Sequence, residues 1–243
     1  MTIIWAMRTT ARIGNLFAWL ALAAGILLWG ADARGQSAEK AVSKVVRAIE
    51  ARYRGAESFQ AVFEERRSEG RGSVQIEAGT LYIRRPGLMR WEYEEPEKKL
   101  FLVDGKYAWF YVPADRTVTK APVRDSDDER IPLLLLTGKA SLGRACRRIE
   151  LADVHVEAAG DTALRCLPAR GAEDEYREAV FEVDAQDRLV RLLVREAGDV
   201  ETEFHFGRWE ENVPLAPSLF RFAPPKGTTI VDEQTLTGSP AEN

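Results

Sequence analysis

The 243-residue sequence has very little of the residue types on which most metal sites depend, with two cysteines and two histidines. His155 and His205 are distant in sequence and form no ligand cluster with the cysteines. The sequence also has no G-x-S-x-G motif, no H-E-x-x-H motif and no phosphate-binding loop. We therefore expect no metal or other cofactor and no catalytic residues. An enzyme stays open as an alternative that a screen with ester substrates would test.

The sequence also has no excess of basic residues. It contains 34 lysines and arginines and 38 acidic residues, which gives a net charge of −4. Binding to nucleic acid depends on a basic face that displaces counterions, so we expect no nucleic-acid partner. The acidic run Asp125–Glu129 lacks the glycine and the ligand spacing of a calcium loop, which favours solvated surface.

One long apolar run is present, and it lies at the N-terminus. Arg8 and Arg12 precede the uncharged run 13–30, which leads into Ala31-Asp32-Ala33, a small-x-small cleavage pattern. This predicts a signal peptide at residues 1–33, export to the periplasm and a single domain at 34–243, with Met7 as a possible later start. Removal of residues 1–33 would change the net charge of the chain from −4 to −5. An uncleaved membrane anchor is the alternative.

Cys146 and Cys166 belong to a chain with an export signal, and no cysteine lies directly after the apolar run. An even number of cysteines in an oxidising compartment favours a disulfide. It would close a loop of about 20 residues and contribute roughly 3 kcal/mol in the chain-entropy model. Two buried free thiols are the alternative. An outer-membrane receptor would need a lipid-modified cysteine near the cleavage site, which is absent.

The segment after the signal has the period of an amphipathic helix. We predict a helix over Ala38–Arg54, with Ser37 as N-cap and Gly55 as a left-handed C-cap. Its apolar positions recur at helical spacing and form one stripe: Val42, Val45, Val46, Ile49 and Tyr53.

From Phe59 onward the period changes to two, which predicts strands separated by Gly- and Asp-rich turns. The predicted strands begin at Phe59 and then cover 73–84, 88–94, 99–103, 106–112, 117–121, 149–157, 162–167, 175–183, 189–196 and 200–209. A short helix is predicted at Ile131–Thr137. About ten strands with two helices predict an α+β, mainly β fold: an incomplete, half-open antiparallel β-barrel whose concave face is apolar and covered by the helices.

Three segments together resemble the periplasmic outer-membrane lipoprotein carrier (LolA-like) family. They are LYIRRPGLMRWEYEEP at 81–96, KLFLVDGKYAWFYVP at 99–113 and LFRFAPPKGTTIV at 219–231. The order matches the family: a helix, R-P-x-x-x-x-W, D-G-x-x-x-W-x-Y, a short Leu-rich helix and F-x-P-P-x-G. Met89 stands where family members often have an aromatic residue.

The resemblance implies a carrier with a hydrophobic cavity. The cavity takes triacylated lipoproteins from an inner-membrane lipoprotein-releasing ABC transporter and passes them to an outer-membrane lipoprotein receptor. Arg85 matches the arginine at the family's lid, with a surface charge paired to a glutamate as the alternative. The aromatic residues could equally be plain core. The expected cavity residues are Val42, Val46, Ile49, Leu81, Ile83, Met89, Trp91, Tyr93, Phe101, Trp109, Tyr111, Leu134 and Leu135.

A periplasmic lipid-binding sensor with the same half-barrel is a second functional hypothesis. Such modules are usually joined to a further domain and a later membrane anchor, and neither is recognisable in this sequence. The free carrier is therefore favoured, with a monomer as the expected state of a shuttle.

Overall fold

The computed structural model describes residues 16–70, 72–123, 141–173 and 176–232, with side chains from residue 36 onward. The chain divides into two compact units, Met1–Ala41 and Val42–Asn243. The predicted cleavage after Ala33 stays a prediction.

Helix α1 runs from Leu16 to Gly55. Its end agrees with the sequence prediction, but its start does not, because the helix continues through Ser37. The residues before Ser37 are rich in alanine and leucine and contain no proline, so nothing in them stops a helix. Gly55 is the last helical residue and has no positive φ, so the predicted left-handed cap does not form. No helix in the described part of the chain is both long and apolar enough to cross a membrane.

Twelve strands and two short helical segments follow α1 in the described residues. The strands are β1 Ser58–Glu69, β2 Val74–Arg84, β3 Leu88–Glu95, β4 Lys99–Val103, β5 Tyr107–Val112, β6 Thr117–Pro122, β7 Cys146–Leu151, β8 Thr162–Pro168, β9 Glu178–Val183, β10 Leu189–Arg195, β11 Val200–Glu211 and β12 Thr229–Asp232. The helical segments are α2, Leu142–Ala145, and a 3-10 helix, Pro217–Phe220.

All twelve strands form one sheet in the order β12-β6-β5-β4-β3-β2-β1-β11-β10-β9-β8-β7. Neighbours are antiparallel except β12, which pairs with β6 in parallel. The two ends of this order, β12 and β7, do not pair with each other, so the sheet is open. The prediction of a mainly β fold with an unclosed sheet is confirmed.

One predicted strand has clearly different bounds in the structure. The strand predicted at 149–157 is β7, Cys146–Leu151, because its pairing with β8 begins at Cys146 and the chain leaves the sheet after Leu151. Beyond it, the Glu157 N–H donates to Glu182 Oε1 at 2.6 Å instead of pairing with a strand. The helix predicted at Ile131–Thr137 lies outside the described residues.

The main hydrophobic core lies on one face of the sheet, together with the end of α1. Ile49 and Tyr53 of α1 are almost fully buried in the same cluster as the large side chains of β1, β2, β3 and β11. Val42, Val45 and Val46 are half-buried against it. This side of the sheet is called the helix face below, and the other side the outer face.

Candidate binding face

Three rows of cross-strand partners cross the helix face, two from β1 to β5 and one from β1 to β4. The row nearest the β2–β3 turn contains Phe59, Ile83, Met89, Val103 and Ala108. The second contains Ala61, Leu81, Trp91, Phe101 and Phe110. The third contains Phe63, Gly79, Tyr93 and Lys99. Partners directly opposite each other in a sheet share a face, so six of the expected cavity residues on β2, β3 and β4 lie side by side.

The centre of the helix face is packed around Trp91, which is 2% exposed. Its ring centroid lies 4.7 Å from that of Phe63 and 5.4 Å from that of Phe204. Burial decreases along the second row, because Phe101 is half-buried and Phe110 is 39% exposed. The apolar face is therefore closed at its centre and open toward β5.

Tyr53 fixes the end of α1 on this face. Its hydroxyl accepts a hydrogen bond from the Leu189 N–H at 2.9 Å, and its ring lies 5.2 Å from that of Phe59. Burial raises the pKa of Tyr53 well above its usual range. The indole of Trp209 donates to the Leu189 carbonyl at 2.8 Å, so β10 holds both rings.

Arg85 connects the β2–β3 turn to the end of α1. Its Nη1 donates to the Tyr53 carbonyl at 2.5 Å and approaches the Ala56 carbonyl at 3.5 Å. The backbone N–H of Arg85 donates to the Glu57 carbonyl at 2.9 Å. Burial, together with the neighbouring Arg54, lowers the pKa of the guanidinium. Within the described residues Arg85 bonds to carbonyls and forms no ion pair with a carboxylate, unlike the alternative drawn from the sequence.

A polar border ends the apolar face on the side of the β1–β2 hairpin. The Tyr93 hydroxyl donates to Glu65 Oε2 at 2.7 Å, and Lys99 pairs with Glu77. Burial raises the pKa of Glu65 above 4.5, against the lowering effect of its bond to Tyr93. The border places charged groups beside the aromatic cluster of Phe63 and Trp91.

A single glycine makes this border possible. A Cβ on Gly79 would lie 1.9 Å from the carbonyl oxygen of Glu92, a contact that no other residue type could tolerate. The position coincides with an irregularity in the β2–β3 register between Ala78 and Gly79. Glycine therefore lets the two backbones approach where Tyr93 turns toward Glu65.

Trp109 and Tyr111 do not lie on the helix face, so the prediction that they line the same cavity as Trp91 is wrong. Trp109 pairs with Leu102 and Tyr111 with Leu100, whereas Phe110 between them pairs with Phe101. Since side chains alternate along a strand, these two aromatics point to the outer face. There they pack with a ring of the C-terminal segment, Phe222, at 5.7 and 5.5 Å. Leu134 and Leu135 lie outside the described residues.

Comparison with known proteins gives one family for this arrangement. The model of the outer membrane lipoprotein carrier protein LolA family matches residues 54–223, which is more than half of the chain. The chain belongs to the LolA family.

Curated LolA relatives are similar at modest identity. The outer-membrane lipoprotein carrier protein of Xanthomonas axonopodis pv. citri is 29% identical over 185 residues, covering 74% of this chain and 84% of the relative. That of Salmonella paratyphi A is 24% identical, covering 78% and 88%. A crystal structure of an uncharacterized conserved protein from Thermus thermophilus has a TM-score of 0.50 at 13% identity, covering 79% of this chain and 99% of the other. At that identity the likeness shows the fold alone.

Several residues on the helix face of this LolA-family chain were missed by the sequence interpretation. They are Phe59, Phe63, Phe110, Phe204 and Phe206, together with the polar residue Glu65. The period-two spacing of the phenylalanines in β1 and β11 was available in the sequence. It predicts one shared face within each strand, but not which faces meet.

The two cysteines are joined in the structure. Cys146 begins β7 and Cys166 lies on β8, with their Cα atoms 5.4 Å apart in a disulfide. Both side chains are buried in the core of the helix face. Because β7 is an edge strand, the disulfide ties that edge to the rest of the sheet.

Proposed function

We propose that this LolA-family chain is a periplasmic carrier that holds the acyl chains of lipoproteins on its helix face and shuttles them from the inner to the outer membrane. The observation that carries the proposal is the apolar face itself. It is continuous across β1 to β5, closed around Trp91 and open at Phe101 and Phe110. The names of the curated relatives support cargo of this kind.

Hydrophobicity explains why such cargo needs a carrier. Each methylene removed from water contributes about 0.8 kcal/mol, so a triacylated lipoprotein does not leave a membrane unaided. A carrier has to offer apolar surface of comparable extent and still release the cargo. A face whose outer rows are only half-buried, such as that around Phe101, can take up acyl chains with little rearrangement of the centre.

The end of α1, from Val42 to Gly55, acts as the lid over this face in our proposal. Its half-buried valines contact the core, and Arg85 holds its last turn through the Tyr53 carbonyl. In the empty protein the lid covers apolar surface that the cargo would otherwise cover. Cargo that binds the same surface competes with the lid, so it shifts the balance from the closed to the open state.

We further propose that residues 1–33 are removed on export and that the mature domain works as a monomer. Its partners would be an inner-membrane lipoprotein-releasing ABC transporter and an outer-membrane lipoprotein receptor. The buried Cys146–Cys166 disulfide supports the oxidising compartment that this role requires. Mass measurement of the exported protein tests the cleavage after Ala33.

The deciding experiment incubates protein purified from a periplasmic fraction with spheroplasts that carry a labelled lipoprotein. We expect the label to appear in a soluble one-to-one complex with this protein, with acyl chains detectable by native mass spectrometry and lipid extraction. Binding of free lipid without release of lipoprotein would contradict the carrier and favour a lipid-sensing module. A hydrolysed lipid product would instead indicate an enzyme.

A further inference from the structure

The outer face carries a cleft of about 570 Å³ between the β4–β5 hairpin and the C-terminal segment 217–222. It is separated by the sheet from the helix face and shares none of its side chains. The residues that matter for its chemistry are Arg84, Lys106, Tyr107, Trp109, Arg221 and Phe222. This cleft is called the outer cleft below.

Aromatic rings form the floor of the outer cleft. The Trp109 centroid lies 5.8 Å from that of Tyr107 and 5.7 Å from that of Phe222. Asp104 fixes the floor from the turn before β5, because its carboxylate accepts bonds from Trp109 Nε1 at 2.8 Å and from the Tyr107 N–H at 2.7 Å. Asp104, the acidic residue of the cleft, therefore uses its carboxylate to hold these rings in place.

Three cations stand around these rings. Arg84, Lys106 and Arg221 form no ion pair within the described residues, although the chain as a whole is acidic. Several other arginines of the sheet are paired, as Arg195 is with Glu178 and Glu201. No carboxylate of the described residues therefore neutralises the three cations of the outer cleft.

A fourth cation adds to the positive charge above the floor. Lys120 Nζ lies 3.8 Å from the centroid of the Tyr107 ring, and Lys106 Nζ lies 5.0 Å from the same centroid. Such contacts orient the ammonium groups over the ring without neutralising them.

We propose that the outer cleft is a docking site for an acidic, partly apolar segment of a partner protein. Carboxylates of the segment would pair with Lys106 and Arg221, and its apolar side chains would lie on the rings of Trp109 and Phe222. The rings are half-buried and the two cations exposed, so the floor is recessed below a charged rim. A recessed floor fits a chain segment with projecting side chains, whereas a flat lipid surface would reach the rim alone.

This site goes beyond cargo binding, because it lies on the opposite side of the sheet. A partner held there leaves the helix face free, so docking and cargo transfer can occur together. Charge attraction of this kind mainly raises the rate of encounter and weakens with added salt.

The test measures binding of a fluorescent ten-residue peptide of alternating glutamate and phenylalanine to the full protein by anisotropy. The variant Lys106→Glu/Arg221→Glu reverses two cations of the rim. The matched control Lys98→Glu/Arg170→Glu makes the same change in net charge at exposed sites outside the outer cleft. A second variant, Phe222→Ala, removes one ring of the floor, and circular dichroism checks the fold of each protein.

We expect saturable binding that weakens at least ten-fold in the rim variant and several-fold in Phe222→Ala, and that is unchanged in the control. A matching peptide of lysine and phenylalanine should not bind. The proposal is overturned if the acidic peptide does not bind or if the rim variant binds it as wild type does. It is also overturned if anionic phosphatidylglycerol vesicles bind through Lys106 and Arg221 while the peptide does not.

Discussion

Arg85 donates a hydrogen bond from Nη1 to the carbonyl oxygen of Tyr53 at 2.5 Å, joining the turn after β2 to the last turn of α1. The two residues are 32 positions apart in sequence. Tyr53 is in turn held at β10 through its hydroxyl, and Arg52 of the same helix turn pairs with Glu211 of β11, so several bonds attach the end of α1 to the sheet. The Arg85 bond is more exposed than the bond of the buried Tyr53 hydroxyl, so it can break at lower cost.

Replacing Arg85 by leucine should loosen the end of α1. A hydrogen bond from a charged donor contributes roughly 1.5–3 kcal/mol, and we expect the low end here because Arg85 is half-exposed. Amide hydrogen exchange around residues 53–57 should become faster, and loading and release of lipoprotein should change. Arg170→Leu is the control, since Arg170 is exposed, lies outside the outer cleft and has no hydrogen bond to the described part of α1. Wild-type loading and hand-off in Arg85→Leu would rule out a lid role.

Phe110 and Tyr111 are adjacent in β5 and point to opposite faces, which makes them a matched pair for testing the cargo face. Phe110→Ser should weaken lipid binding roughly ten-fold, about 1.4 kcal/mol, because it removes exposed apolar surface from the second row. Tyr111→Ser should leave lipid binding unchanged. The measurement is retention of acyl chains by the purified variants. An equal loss in both variants would place the lipid elsewhere.

The Glu65–Tyr93 pair predicts a specific dependence of stability on pH. Burial raises the pKa of Glu65 above 4.5 in the folded state, so the folded protein binds more protons than the unfolded chain just above that pH. The contribution of Glu65 to stability is therefore full below about 4.5 and is lost as the pH rises through the folded pKa.

Urea unfolding between pH 4 and 7 checks this dependence. The stability of wild type relative to Glu65→Gln should fall over that range, because glutamine keeps a hydrogen-bond acceptor for Tyr93 without the charge. Glu64→Gln, at the exposed neighbouring position, serves as the control substitution. A difference between wild type and Glu65→Gln that stays constant with pH would show that burial does not govern Glu65.

Removing the disulfide should destabilise the edge of the sheet at β7. Closing a loop of this length contributes about 3 kcal/mol in the chain-entropy model, and Cys146 and Cys166 are both buried. The double variant Cys146→Ser/Cys166→Ser should unfold at lower urea concentration and still bind lipid, since the rows from β1 to β5 do not involve β7. Reductant should destabilise wild type but not the double variant. Unchanged stability in the double variant would contradict the prediction.

Local pattern was enough to predict most elements of this protein. Apolar and polar residues alternate in β3 and β4, and Asp104–Gly105 marks a turn. These features predict strand positions close to those observed, because side-chain period and turn chemistry depend on neighbouring residues. Family motifs in the same segments indicated the carrier family, and Arg85 was singled out by its place before Pro86. The sequence did not predict α2, and it placed the start of α1 too late.

Only the tertiary structure decided on which face of the sheet each side chain lies and which strands distant in sequence are neighbours. Trp91 and Trp109 look alike in sequence, yet the pairing of Phe101 with Phe110 puts them on opposite sides of the sheet. A shift of one residue in that pairing would exchange every side chain of β5 between the two faces. Likewise, β1 lies beside β11, far along the chain, which brings Glu65 next to Phe204. Composition and period are local, whereas register and strand order depend on the free energy of the whole packed sheet.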